Sequence, residues 1–239
     1  MSSKSIIYLI PSVLSETAFE TIPTYIIEAV KNCQVIFAEN ERTARRFLKS
    51  IYKEIVIDDY EWFTIHKVEA EQATIFKQKI KEQKNIAIIS EAGCPGIADP
   101  GQLLVKAAQE MNVTVKPLVG PSSILLALMA SGLNGQSFQF SGYLPIESHD
   151  RLNKIKDLEE ESARKKCTQI FIETPYRNNQ IIDAIVKVCK PNTQLCIAAE
   201  LTSNNEFIKT KSIEEWRKEK IDMHKKPVIF LLLAGERSK

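Results

Sequence analysis

The sequence predicts an α/β protein in two domains: a first with a parallel sheet covered by helices, and a second α+β domain with a mixed sheet. Through residues 6–119, short Ile- and Val-rich runs alternate with helical stretches, the pattern of strand–helix–strand crossovers. Beyond residue 137, five strand-like runs crowd around only three helical segments, a density that fits a mixed sheet. Between the two patterns, VKPLVGPSS combines Pro and Gly punctuation. The domains are therefore expected at 1–116 and 117–239, and the cleft between them is the default place for a ligand.

In chain order, the first domain reads as strand IIYLIPS, helix IPTYIIEAVKN, strand QVIFAE, helix ERTARRFLKSI and strand EIVID. It continues with helix VEAEQATIFKQKIKEQK, strand NIAIIS, helix DPGQLLVKAAQEM and strand VTVKPLV. GPSSILLALMASG is a helix with a Ser start and a Gly stop. FQFSGYL, TQIFIE, QLCIAAELT, NEFIKT and KPVIFLLLAG are the later strands, with helices over roughly 148–166, 176–190 and 212–221.

Composition narrows the function classes. With 44% hydrophobic and 26% charged residues the chain is that of an ordinary globular protein. A net charge of +2 from 32 basic and 30 acidic residues leaves no global field, so any nucleic-acid contact must rest on a local patch. PVIFLLLAG, the longest apolar run, is far short of the roughly 20 residues that span a membrane. MSSKSIIYLI reads as a first strand and not a signal peptide, and a cytoplasmic protein is expected. The five cysteines form no C-x-x-C pair, and His66, His149 and His224 show no zinc spacing, so no metal is expected.

One stretch stands out. SEAGCPGIADPG, residues 90–101, packs Gly93, Gly96, Gly101, Pro95 and Pro100 behind a buried strand, where open α/β sheets bind ligands. Asp99 reads as a cap on a helix whose first position is Pro100. A tight strand-to-helix connection with no ligand explains the stretch as well. Neither G-x-x-x-x-G-K-[ST] nor G-x-G-x-x-G is present, so a ligand held by backbone polar groups and carrying little phosphate charge fits better than a nucleotide.

SEAGCPGIADPG resembles the S-D-A-G-T-P-x-I-S-D-P-G motif of the tetrapyrrole methylase superfamily, in its branch of ribosomal small-subunit RNA 2′-O-methyltransferases. VGPSSILLALMASGL with FQFSGYLP, FIETPYR and IFAENER are similar to further motifs of that branch, in the same order and over nearly the whole chain. The resemblance implies a two-domain methyltransferase that binds S-adenosylmethionine between its domains, usually as a homodimer. It places Pro11, Gly93, Cys94, Ile97, Ser122, Ser123, Ile124 and Thr174 at the cofactor. It implies an RNA acceptor, a ribosomal RNA ribose hydroxyl. A small tetrapyrrole-like acceptor and a non-catalytic cofactor-binding module are the alternatives. The departures fall on the acceptor side: PSVLSETAFETIP replaces a P-T-P-I-G-N-L-x-D-I-T stretch, and Asn40 and Tyr176 stand where the branch has Asp and His.

Methyl transfer to a poor nucleophile is helped by a proton acceptor. Glu39 and Glu173, each ending a strand, are the candidates. Glu39 reads equally as a cap or as a partner of Arg42, and Glu173 as a cap on the helix after Pro175. Arg42, Arg45, Arg46 and Lys49 share a helix face that would hold an RNA backbone or simply face solvent. Tyr60, Trp62 and Phe63 would stack on a splayed base or form a lid.

Overall fold

The computed structural model describes residues 5–65 and 69–235. It divides into two compact units, Met1–Ser122 and Ser123–Lys239. His66, Lys67 and Val68 lie outside the described residues.

The first unit holds β1 (Ile6–Ile10), β2 (Val35–Ala38), β3 (Glu61–Thr64), β4 (Ile86–Ile89) and β5 (Thr114–Pro117). They form one sheet in the order β3-β2-β4-β1-β5, every pair parallel. Its helices are α1 (Tyr25–Lys31), α2 (Glu41–Ile51), α3 (Glu69–Lys81) and α4 (Gln102–Glu110). Both faces of the sheet are covered, which is why β2 and β4 read as unbroken apolar runs, VIFA and IAII, with every residue buried. On one face Ile10, Ile36 and Ile89 pack with Ile26 of α1 and Phe47 and Leu48 of α2. On the other, Ile7, Phe37 and Ile88 pack with Phe76 of α3 and Leu104 of α4.

Two expectations are corrected here. EIVID is not a strand: Ile57–Asp59 make a 3-10 turn, and the edge strand is Glu61–Thr64, paired with β2 from Val35↔Glu61 to Ala38↔Thr64. The aromatics decide this. Trp62 packs into the first core and Phe63 into the second, where its ring stacks on Phe37 at 5.0 Å, so EWFT buries apolar area on both faces. Tyr60 also packs against the first core, and the Trp62 indole N–H donates to the Ile57 carbonyl at 3.0 Å. These three rings are therefore partly buried against the two cores of the first unit. The second correction concerns α4. Its N-cap is Gly101, at φ +115°, with Pro100 outside the helix, so the Asp99-cap, Pro100-first reading fails. The loop keeps bending through Ala98 at φ +63°, and the helix begins only after it.

The second unit contains α5 (Ser123–Ser131), β6 (Phe138–Tyr143), α6 (Ser148–Lys165), β7 (Thr168–Ile172), α7 (Asn178–Val188), β8 (Gln194–Ala199), β9 (Phe207–Ser212), α8 (Ile213–Trp216) and β10 (Val228–Leu233). The sheet runs β6-β7-β10-β8-β9, with β6 parallel to β7 and the remaining pairs antiparallel. It is the mixed sheet that the strand density predicts. Phe171 and Phe230 stack at 5.6 Å at the centre of a core closed by Ile155 and Leu158 of α6, Ile181 and Ile185 of α7, and Trp216. The last helix is shorter than expected: Ser212, the last residue of β9, starts α8 with a capping box to Glu215, and the helix ends at Trp216.

Candidate functional site

β1 and β4 are neighbours in the sheet, yet the chain leaves them for opposite faces, to α1 and to α4 respectively. Such a divergence opens a crevice at the carboxyl ends of the strands. There Ser12 and Gly93 exchange backbone hydrogen bonds: Ser12 N donates to the Gly93 carbonyl at 2.8 Å, and Gly93 N to the Ser12 carbonyl at 3.1 Å. The Ser12 hydroxyl donates to the Ser90 carbonyl at 2.8 Å. Gly93 sits at φ +69°, which a residue with a Cβ adopts only under strain.

A third segment joins them. The Cys94 thiol donates to the Pro121 carbonyl at 3.5 Å. A Cβ on Gly120 would stand 2.1 Å from the Pro11 Cβ, so only glycine lets the two segments touch. Pro11, Gly93, Cys94 and the stretch leading into Ser122 are thus brought together from three parts of the first unit. Beside them the Ile97 side chain and Val119 are exposed, and open space faces Gly96, at φ +77°. The result is a bent, weakly shielded backbone next to exposed apolar groups.

The carboxylates take up places the sequence does not reveal. Glu39 neither caps α2 nor pairs with Arg42. Asn40 is the cap, accepting from Thr43 N at 3.2 Å, and Glu39 Oε2 accepts from Glu91 N at 2.9 Å. Glu91 Oε1 in turn accepts from the Thr43 hydroxyl at 3.4 Å. Asp99, half-buried, is pushed up from 3.8 to about 7 by burial first and then by the charges of Glu39 and Glu91. Burial, and then Asp99, also raises the Cys94 thiol. Asp99 is the group that sequence reading passed over, because an Asp-Pro pair before a helix looks like a cap. Among the described residues no group of three or more His, Cys, Asp and Glu is placed to hold a metal ion.

The basic residues of α2 separate into different roles. Arg45 pairs with Glu41, and its guanidinium lies 4.9 Å from the Trp62 ring centre. Lys49 donates to the Ile55 carbonyl, tying α2 to the turn before β3. Arg42 and Arg46 are exposed, and Arg46 reaches only Glu16, at 3.7 Å.

In the second unit, Ser123 opens α5 and Ile124 is buried beneath it. The ETPYR turn follows β7. Glu173 is not a helix cap: its side chain is fully buried, and Oε1 accepts from Thr174 N at 2.7 Å and from the Arg177 guanidinium, including Nε at 2.9 Å. The Thr174 hydroxyl accepts from the same Nε at 3.3 Å. Glu173 Oε2 and one terminal nitrogen of Arg177 are buried without a partner.

Residues 20–216 match the family described as Tetrapyrrole (Corrin/Porphyrin) Methylases. The chain is 31% identical over 240 aligned residues to ribosomal RNA small subunit methyltransferase I of Buchnera aphidicola subsp. Schizaphis graminum, covering 98% of this chain and 80% of that protein. It is 30% identical over 241 aligned residues to the protein of that name in Escherichia coli O157:H7, covering 99% and 80%. The crystal structure of the methyltransferase CobJ is similar with a TM-score of 0.64 over 97% of this chain and 95% of that one, at 15% identity, a likeness of fold. On the family match, which spans most of both units, this chain belongs to the tetrapyrrole methylase family.

Proposed function

We propose that this protein is an S-adenosylmethionine-dependent methyltransferase whose acceptor is a ribose 2′-hydroxyl of ribosomal RNA. The acceptor class is supported by relatives that are named ribosomal RNA methyltransferases and align over nearly the whole chain. The observation that carries the cofactor reading is the convergence of Pro11, Gly93, Cys94 and the Gly120–Ser122 segment at the end of the parallel sheet.

These residues fit the cofactor. S-adenosylmethionine supplies a methyl group already activated on a sulfonium sulfur, so it is an amphiphile with a fixed positive charge at its reacting centre. Glu39, Glu91 and Asp99 give that charge acidic neighbours, and exposed Ile97 and Val119 give apolar contact. Ser122, at the end of the same segment, is a further proposed contact. The chain's own work is then alignment of the acceptor and exclusion of water. At neutral pH, the Asp99 carboxylate takes the proton that the hydroxyl releases as its oxygen is methylated. Glu39, held by Glu91 N, sets the charge around it. Glu173, buried and bound by Arg177, holds the Thr174 turn in place.

The protein acts as a homodimer in this reading, and it works in the cytoplasm, where ribosomes are assembled. No helix among the described residues is long and apolar enough to cross a membrane. Calorimetry with S-adenosylmethionine tests the cofactor, and a methylation map of ribosomal RNA from cells with and without the gene tests the acceptor. Absence of cofactor binding sinks the first half, and an unchanged map the second.

A further inference from the structure

Beside the convergent loops, the first unit has a pocket of about 430 Å³ whose lining shares only Glu91 with the cofactor reading. It lies between the segment after β1, the outer part of α2 and the start of the loop after β4. Leu14, Phe19 and Phe47 give it an apolar wall, and Thr43, Glu91 and Arg46 give it a polar rim. The geometry points to this pocket as the seat of one unstacked nucleoside of a single-stranded RNA segment. This assignment rests on the methyl-transfer reading above and names where its acceptor enters.

Size comes first. The volume falls near the lower end of the roughly 300–1,000 Å³ that small-ligand pockets occupy, room enough for one nucleoside. Sequence-specific recognition of RNA targets single-stranded segments, whose unstacked bases can be splayed out into a protein pocket. The partly buried Leu14 and Phe19 side chains offer apolar surface to a base, and the Glu91 carboxylate with the Thr43 hydroxyl offers acceptors to its amino or sugar hydroxyl donors. Glu91 is also hydrogen-bonded through its N–H to Glu39, so the pocket's polar rim is continuous with the carboxylate group that contains Asp99.

Charge supplies the anchor. Arg46 stands at the rim with its side chain 66% exposed, and its partner Glu16 is 90% exposed at 3.7 Å. A pair that open to water holds little energy, so a phosphate readily replaces Glu16. Arg42, one turn earlier and also exposed, lies on the same side of α2 and extends the track by one contact. Arg45 and Lys49 are already committed to Glu41, Trp62 and Ile55, which limits the basic track to these two arginines.

The test uses the whole protein and a fluorescent single-stranded RNA of mixed sequence, titrated with and without S-adenosylmethionine. Arg46→Ala, on an exposed side chain, is expected to weaken RNA binding about tenfold and to lower the salt slope by about one. Ser50→Trp, at the exposed end of α2, fills the pocket and is expected to weaken RNA binding by at least about tenfold. Cofactor affinity should stay within about twofold in both, since neither residue belongs to the cofactor loops. Unchanged RNA binding in both variants, with methyl transfer to RNA intact, overturns the pocket and leaves the enzyme reading standing. Failure of the unaltered protein to bind cofactor or to modify RNA overturns both.

Discussion

Burial, and then the charges of Glu39 and Glu91, raise the Asp99 carboxyl from 3.8 to about 7 in the folded chain. The sign follows from proton linkage. Below about 3.8 the carboxyl is protonated both folded and unfolded, and its contribution to stability is fully present. Between 3.8 and about 7 only the folded state keeps the proton, so stability falls as the pH rises, and above about 7 the loss is complete. Asp99→Asn should therefore melt at a higher temperature than the unaltered protein at pH 8, with a smaller gap at pH 5. A gap that does not grow with pH counts against this account. Activity should move the other way, with Asp99→Asn losing roughly 10²-fold or more in rate at pH 8 if Asp99 is the proton acceptor. A cationic cofactor also favours ionised Asp99. S-adenosylmethionine should bind more tightly at pH 8 than at pH 6, while S-adenosylhomocysteine, whose sulfur is neutral, shows less change; calorimetry at the two pH values reads this directly. Gly120 is a residue with one permitted identity: in Gly120→Ala the new methyl meets the rigid Pro11 ring, costing about 1–3 kcal/mol and the cofactor site with it. Thermal melting and cofactor titration of that variant check both parts.

At the scale of elements, α2 shows how a helix start fixes chemistry on both sides of it. Asn40 caps the helix through its own side chain, which leaves Glu39 to accept from Glu91 and sets the first turn so that Thr43 reaches the same Glu91. Asn40→Ala should cost about 1 kcal/mol in denaturant unfolding. An unchanged midpoint would mean that the cap is made by water instead. The strands show where periodicity fails. The runs that became β1, β2 and β4, and those of the second sheet, were legible because two-sided or alternating burial writes itself into composition. EIVID was as apolar as a strand, yet the next residues won the sheet edge, because Trp62 and Phe63 bury more area on its two faces than Val56, which is exposed. That outcome depends on Phe37 and on the first core, neither of which is local to the segment.

For the whole molecule, each unit has its own core, and the second carries apolar surface that its own core does not use. Met129 is 79% exposed and Leu125, one turn earlier on α5, 52%. Isolated apolar residues on a surface need no explanation, but a pair on one helix face is what a self-associating subunit presents. Met129→Asp should convert a dimer to a monomer in sedimentation, and a monomeric unaltered protein would remove the homodimer from the proposal. The sequence by itself determined the layering, from the alternation of strand and helix, and the bent loop at the carboxyl end of the first sheet where the ligand is proposed, from the glycines and prolines of residues 90–101. Local chemistry suffices for those, since backbone bending and burial period are properties of neighbours in the chain. Only the tertiary structure decided that Pro11 meets Gly120, that Cys94 reaches Pro121, and that half-buried Asp99 feels the charges of Glu39 and Glu91. Contacts and charge couplings of that kind join residues tens of positions apart, and no periodicity or motif encodes the dielectric in which a carboxylate will sit.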